Sequence, residues 1–280
     1  MITKMRLSVA LLGVATMLSG CEPAAIAPAE PAEPELPRLG DRPNLNGVWQ
    51  AIGTAYWDLE AHSAAGLKDF WQLGAIAAVP AGQSVVEGGR IPYLPGALAK
   101  REENRAGWPK SDPEAKCYMP GIPRATYMPY PFQIVQGDGD IVFAYEFASA
   151  NRIVRMSNHE EAPVDSWMGW SNGHWEGDTL VVEVSGLNAN WLDRSGNFAS
   201  EQRRVTERYT LLNPYILSYE ATIDDAAVFS EPWTISMPLY RRVEENARLL
   251  EFKCMEFAEE MLYGHLRRQP QDGNPNNQGD

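Results

Sequence analysis

From Phe132 onward the chain is written in short alternating runs, most of them set too close together for a helix to fit between them. Residues 132–135 and 141–147 flank a glycine-rich turn, and Ile141, Phe143, Tyr145 and Phe147 share one face of the second run. Residues 151–156, 178–184, 204–212, 216–223, 233–240 and 249–254 continue the series. Parallel neighbours need a crossover of roughly a dozen residues or more, so this spacing predicts antiparallel pairing in chain order. Eight or more such strands in one domain must close on themselves or stack as two sheets. The expectation is a mainly β fold: a single antiparallel meander forming a lipocalin-like barrel or a sandwich, with the barrel preferred.

Ahead of the meander, residues 45–50 read as one more strand, with the Gly47-x-Trp49 pattern that often opens lipocalin-like barrels. Residues 56–79 carry Leu59, Leu67, Phe70 and Leu73 near helical spacing and predict a mostly helical segment. Residues 92–131 are broken by prolines and glycines around one short helix near 98–104. They predict an irregular cover, and a loop that long in a compact domain is usually functional. Residues 257–266 predict a short closing helix.

The two ends are of a different character. Lys4 and Arg6 precede an apolar run too short for a membrane span, and Leu18-Ser19-Gly20-Cys21 has the lipobox pattern of bacterial lipoproteins. Residues 1–20 therefore predict a signal peptide and Cys21 a lipidation site; an ordinary signal peptide cut nearby is the alternative. Several acyl chains on one residue anchor firmly, at about 0.8 kcal/mol per buried methylene. Glu22, rather than an aspartate, follows the cysteine, which favours the periplasmic face of the outer membrane. Residues 21–43, rich in Pro, Ala and Glu, predict a tether, and residues 269–280 a disordered tail. Residues 44–268 remain as a single β-rich domain.

Loss of Lys4 and Arg6 with the signal peptide would take the net charge from −13 to −15. So acidic a surface repels phosphate backbones and argues against nucleic acid as a partner. With Cys21 lipidated, Cys117 and Cys254 are left, and in an oxidising compartment they predict a disulfide; two separately buried thiols are the alternative.

Strand parity places Glu207 on the same face as Val205, Tyr209 and Leu211. A carboxylate facing a barrel interior is costly unless paired or wet. Glu207 is thus either a general acid or base, or half of an ion pair with Arg152 or Arg155, or turned outward by a bulge. Asp193 and His174 are the other catalytic candidates, although the two glycines around His174 predict a solvated turn. Tyr127, Tyr130, Tyr145, Trp167, Trp170 and Trp191, with Arg124 and Arg152, could line an apolar pocket with a few polar fixers, or simply be core. The chain has no HxH, HExxH or CxxC spacing, no P-loop, no nucleophile elbow and no dinucleotide fingerprint, so no metal site and no cofactor are expected.

The runs CYMPGIPRATYMPYPFQIVQ, FAYEFASANRIVRM, EEAPVDSWMGWSNGHWEGDTLVVEVSGLN, NWLDRSGNFASEQRRVTERYT and LLEFKCMEFAEEMLYGHLR resemble a large family of exported bacterial proteins without an established activity. The resemblance spans residues 44–268 and implies export and a shared fold. Where that family often carries a histidine, this chain has Ala199. The resemblance supplies no activity.

Three functions follow from these readings. The first is a lipid-anchored protein that binds a small, partly apolar molecule. The second is a cofactor-independent hydrolase, lyase or isomerase using an inward carboxylate, and the third a structural envelope protein. The membrane, through Cys21, and a small-molecule ligand are the expected partners; nothing in the sequence names a protein partner.

Overall fold

A computed structural model describes residues 35–67 and 78–266, which belong to one compact unit. Nine strands close into a barrel: β1 (Gly47–Ala51), β2 (Phe132–Val135), β3 (Ile141–Tyr145), β4 (Asn151–Arg155), β5 (Trp170–Glu176), β6 (Thr179–Ser185), β7 (Arg204–Asn213), β8 (Ile216–Asp224) and β9 (Trp233–Arg241). Their order around the barrel is their order in the chain, and β9 pairs with β1 to complete the ring. Of the two architectures the sequence left open, the chain adopts the barrel.

The odd number of strands has a geometric consequence. A ring in which every neighbour is antiparallel needs an even count, so nine strands force a parallel seam. It falls between β4 and β5, whose register holds for only two pairs, Val154↔Ser171 and Arg155↔Asn172. All other barrel neighbours are antiparallel.

Side-chain alternation sorts inside from outside as the period of two requires. Val205, Glu207, Tyr209 and Leu211 on β7, Leu217, Tyr219, Ala221 and Ile223 on β8, and Trp233, Ile235, Met237 and Leu239 on β9 are buried. The opposite faces carry Arg204, Thr206, Arg208, Ser218, Glu220 and Thr234, a polar exterior that is the reverse of a transmembrane barrel. No described helix is long and apolar enough to cross a membrane.

Outside the barrel lie α1 (Pro95–Gly107), opened by a proline at its first turn, a one-turn α2 (Arg124–Tyr127) and the closing α3 (Ala258–Tyr263). The cover segment is packed down on the barrel: Ile122, Arg124, Thr126, Tyr127 and Met128 are all buried. A disulfide between Cys117 and Cys254 ties it to the C-terminal segment.

Several expectations change. Residues 56–67 are turns and a short ladder (Ala65–Gly66 with Ala78–Val79), not helix; residues 68–77 of that expected helix lie outside the described residues. The periodic Leu59 is fully buried, but its N–H is taken by the Asp193 carboxylate and its carbonyl by the N–H of Val85, so tertiary bonds replace the helical ladder. The turn expected around His174 is strand β5, and the reversal comes at Gly177, which has a φ of +59°. Gly173 serves close approach instead: a Cβ there would stand 2.5 Å from Val154 Cγ1 and 2.8 Å from Met156 Sδ. Residues 249–254 form no strand; the disulfide, a hydrogen bond from Leu250 N to Glu146 and the Phe252 ring hold them. Order also begins before residue 44. Arg38–Leu39 and Arg42–Pro43 pair as a small ladder, and Arg38 bonds Asp178 at 3.1 Å. The signal peptide, Cys21, the earlier tether and residues 269–280 lie outside the described residues.

Candidate functional site

The polar residues of the barrel interior form one closed cluster. Glu207 Oε2 accepts from Arg152 Nη1 at 2.6 Å, and its Oε1 accepts from the hydroxyls of Tyr209 (2.9 Å) and Tyr219 (2.8 Å). Arg152 Nη2 also donates to Tyr209 Oη at 3.0 Å, and its guanidinium lies 4.8 Å from the centre of the Phe143 ring. Burial, and next the charge of Glu207, hold the Tyr209 and Tyr219 phenols well above their ordinary value. Burial works to lower the Arg152 value, but Glu207 outweighs it and the cation is secured. Of the readings open for Glu207, the geometry is that of the ion pair with Arg152: a fully buried carboxylate whose oxygens are already engaged. Tyr145 belongs to the same interior, buried and in the field of Arg152 and Glu207.

Where β4 and β5 splay apart, Arg152 also borders the surface. A groove of about 450 Å³ opens there, walled by Trp167, Trp170, Met119 and Ile153 and floored by Arg152, Arg155 and Ser171. The seam makes it: β4 meets β5 only at Val154 and Arg155, so residues 151–153 have no strand on that side. Gly169, with a φ of +68°, turns the chain between the two tryptophans, and a Cβ there would strike Leu187 and the Ser185 carbonyl. Trp167 stacks on the exposed ring of Tyr118 at 5.0 Å between centroids. The Arg155 guanidinium lies 3.7 Å from the centre of the Trp170 ring, and among the described residues no carboxylate forms an ion pair with it. This is a flat, partly apolar surface with a cation on it, suited to holding an anion by hydrogen bonds while its body rests on the rings.

The remaining expected site residues are distributed elsewhere. Asp193 is fully buried and accepts from the N–H groups of Leu59, Ser195 and Asn197 and from Asn197 Nδ2. Burial, reinforced by the charge of Asp58, pushes its carboxyl up to about 7 against these hydrogen bonds. Arg124 is clamped by Asp112 at 2.8 and 2.9 Å and by Glu114 at 2.5 Å, and Glu114 is held in turn by Arg194 at 2.6 Å. This network is buried and anchors the cover segment. Burial tends to raise Glu114, but the two guanidinium groups outweigh it and hold the carboxyl below its usual range. Tyr127 donates to the Leu192 carbonyl at 2.8 Å, and Trp191 is buried in a small ladder with Phe198. Tyr130 packs with Phe147 and Phe252 under the C-terminal segment. His174 is half exposed on the outer face of β5, 3.2 Å from Glu176.

Thus Arg152, Trp167 and Trp170 come together at one groove, whereas Glu207, Asp193 and His174 share no site. The sequence reading missed Arg155 and Met119 at the groove. Arg155 appeared only as a partner for Glu207, although its parity, one residue past Val154, turns it outward from the barrel. Among the described residues, no cluster of three or more His, Cys, Asp or Glu side chains is placed to hold a metal ion. Compared with known proteins, the chain matches no family model, no curated protein and no solved structure.

Proposed function

We propose that this is a lipid-anchored protein of the bacterial envelope that binds a small anion with a flat apolar body in the groove over the β4–β5 seam. The observation that carries the proposal is Arg155. In a chain of net charge −13, where carboxylates outnumber cations, its guanidinium rests on Trp170 without a carboxylate partner among the described residues. A guanidinium so placed offers its N–H edge to a carboxylate, sulfonate or phosphate, and Arg is preferred for such planar recognition. Trp167, Ile153 and Met119 supply the apolar walls, and a volume of about 450 Å³ suits a ligand of one or two rings. Arg152 contributes position more than charge, since Glu207 already neutralises it.

The anchor rests on the lipobox ending at Cys21, with the periplasmic face of the outer membrane as the proposed location. The test uses the aromatic sulfonate 8-anilinonaphthalene-1-sulfonate, titrated by its fluorescence into the native protein. Arg155→Gln should weaken binding by about 10-fold or more, as expected when a charge-assisted hydrogen bond is lost. Added salt should weaken wild-type binding alone. Equal affinity for the two proteins, with no effect of salt, would remove the proposal. Cys21→Ser should move the protein from the membrane fraction to the soluble fraction.

A further inference from the structure

A second cavity, of about 560 Å³, lies between the loop carrying residues 57–67 and the end of α1, and shares no lining residue with the groove. Trp57 and Trp108 form one wall, with ring centroids 5.8 Å apart. Asp58, His62, Arg105 and Arg194 add the polar groups.

The charges around this cavity are unevenly matched. Behind Asp58 lies the buried Asp193, and the two carboxylates share Asn197 Nδ2, at 3.3 Å from Asp58 Oδ1 and 2.6 Å from Asp193 Oδ2. The adjacent Glu60 is paired with Arg101 at 3.3 Å. Among the described residues no cation lies within ion-pair distance of the Asp58–Asp193 pair, and burial, reinforced by the charge of Asp58, drives Asp193 towards retaining a proton. His62 makes a second unmet demand. Its Nδ1 stands 2.9 Å from the Glu60 carbonyl and is therefore the protonated nitrogen, leaving Nε2 buried as an acceptor with no donor. Gly82 leaves room for this ring, since a Cβ there would fall 2.4 Å from His62 Cε1. The cavity also borders Arg105, which is exposed, and Arg194, which is shared with Glu114 and whose guanidinium covers part of the aromatic wall, 4.6 Å from the centre of the Trp57 ring and 6.0 Å from that of Trp108.

We propose that this cavity binds a small aromatic zwitterion of the α-amino-acid type, with its ammonium at Asp58, its ring on the Trp57–Trp108 wall and its carboxylate at Arg105. Asp58 Oδ1 already accepts from Glu60 N–H and Asn197, so what an ammonium supplies is the missing cation, and the wall of two tryptophans with Arg194 on it favours a flat aromatic ring. Binding is linked to protons. A cation beside Asp58 favours the ionised form of Asp193, whose other charged or titratable neighbours are Tyr93, Arg124 and Tyr127, with Arg101 and Glu60 around Asp58. The arginines stay charged, and burial keeps both phenols neutral, so none of these neighbours masks the proton that Asp193 gives up; His62 also lines the cavity, and the Asp193→Asn variant separates the two.

The test is titration calorimetry of the full chain in mild detergent with three probes: L-phenylalanine, phenethylamine and 3-phenylpropionate. L-phenylalanine should bind tightest, phenethylamine more weakly and 3-phenylpropionate weakest. Asp58→Asn should cost about 10–100-fold in L-phenylalanine affinity, the loss expected for a charged hydrogen bond. Arg105→Gln, at an exposed position that leaves folding intact, should weaken L-phenylalanine but not phenethylamine. Affinity for L-phenylalanine should rise as pH climbs through 7, and Asp193→Asn should flatten that rise. Failure of all three probes to bind, 3-phenylpropionate binding as well as L-phenylalanine, or both amines ignoring Asp58→Asn in a folded variant would each overturn the proposal.

Discussion

Replacing Arg152 by Met leaves Glu207 as an uncompensated carboxylate in the middle of the barrel, with only the Tyr209 and Tyr219 hydroxyls to hold it. Both members of the pair are essentially unexposed, at 2% and 0% of side-chain surface, so water cannot take over. Removing one partner of a buried pair costs about 3–5 kcal/mol. The two phenols remain as donors, which places Arg152→Met near the lower end of that range. For a domain of this size, 3 kcal/mol corresponds to a Tm drop of roughly 6–12 °C. Glu207→Leu should cost a similar amount, because it strands a buried guanidinium. The double variant removes both charges and should be no worse than the poorer single variant, giving a coupling energy of about 3 kcal/mol or more. Urea unfolding measures all four proteins, provided the slopes agree. Additive costs, or an Arg152→Met protein within about 1 kcal/mol of wild type, would refute the view that this pair is buried and mutually dependent.

Three further outcomes follow. Asp193 has its folded value raised from 3.8 to about 7, so the unfolded chain gives up that proton first as pH rises. The stability it contributes is complete below about pH 4 and lost by the time pH passes 7, about 4 kcal/mol in all. The difference in urea midpoint between wild type and Asp193→Asn should follow that course, and a difference independent of pH would contradict it. Gly173→Ala should cost about 1–3 kcal/mol by overpacking Val154 and Met156 at the seam, read as a lower Tm; an unchanged Tm would show the seam to be loosely packed. Reducing Cys117–Cys254, 137 residues apart, should lower stability, read from the urea midpoint, by less than the roughly 5 kcal/mol that loop closure predicts. The segment after Arg241 is largely exposed (Val243 67%, Leu250 65%, Met255 60%), so the reduced native state regains freedom there. Hydrogen exchange should speed up across residues 243–266 and not in the barrel strands; a tail still protected after reduction would exclude this account.

The barrel was legible because a period of two survives burial. From β7 to β9 each strand alternates as its residues suggest, and Glu207 faces inward as parity requires. Strand β5 was not legible. Its Ser-Asn-Gly-His run has the composition of a turn, and Gly173 is there because Val154 and Met156 approach from across the seam, a tertiary fact with no local trace. The same limit hid Asp58 and His62. Apolar residues at near-helical intervals suggested a helix, whereas Leu59 is buried by long-range bonds to Asp193 and Val85. The aromatic candidates divided for a similar reason. Trp167 and Trp170 reach the surface because two strands diverge beneath them, while Tyr127, Tyr145 and Trp191 lie where the chain closes over them. Composition can supply aromatic rings, but only topology decides which of them stay uncovered.

The parallel seam also divides the chain in a way that matters for cleavage. Strands β1–β4 precede the seam in the chain and β5–β9 follow it, and residues 156–169 carry the chain from one group to the other. Glu160, Glu161 and Val164 in that connection are exposed. A protease that cuts there severs no strand, and the two fragments keep their β9–β1 ladder. They also stay covalently joined, because Cys117 lies in the first fragment and Cys254 in the second. The protein can therefore be nicked and still migrate as one species until a reductant separates it into two, and a split at this connection is the natural place to divide the fold for fragment complementation.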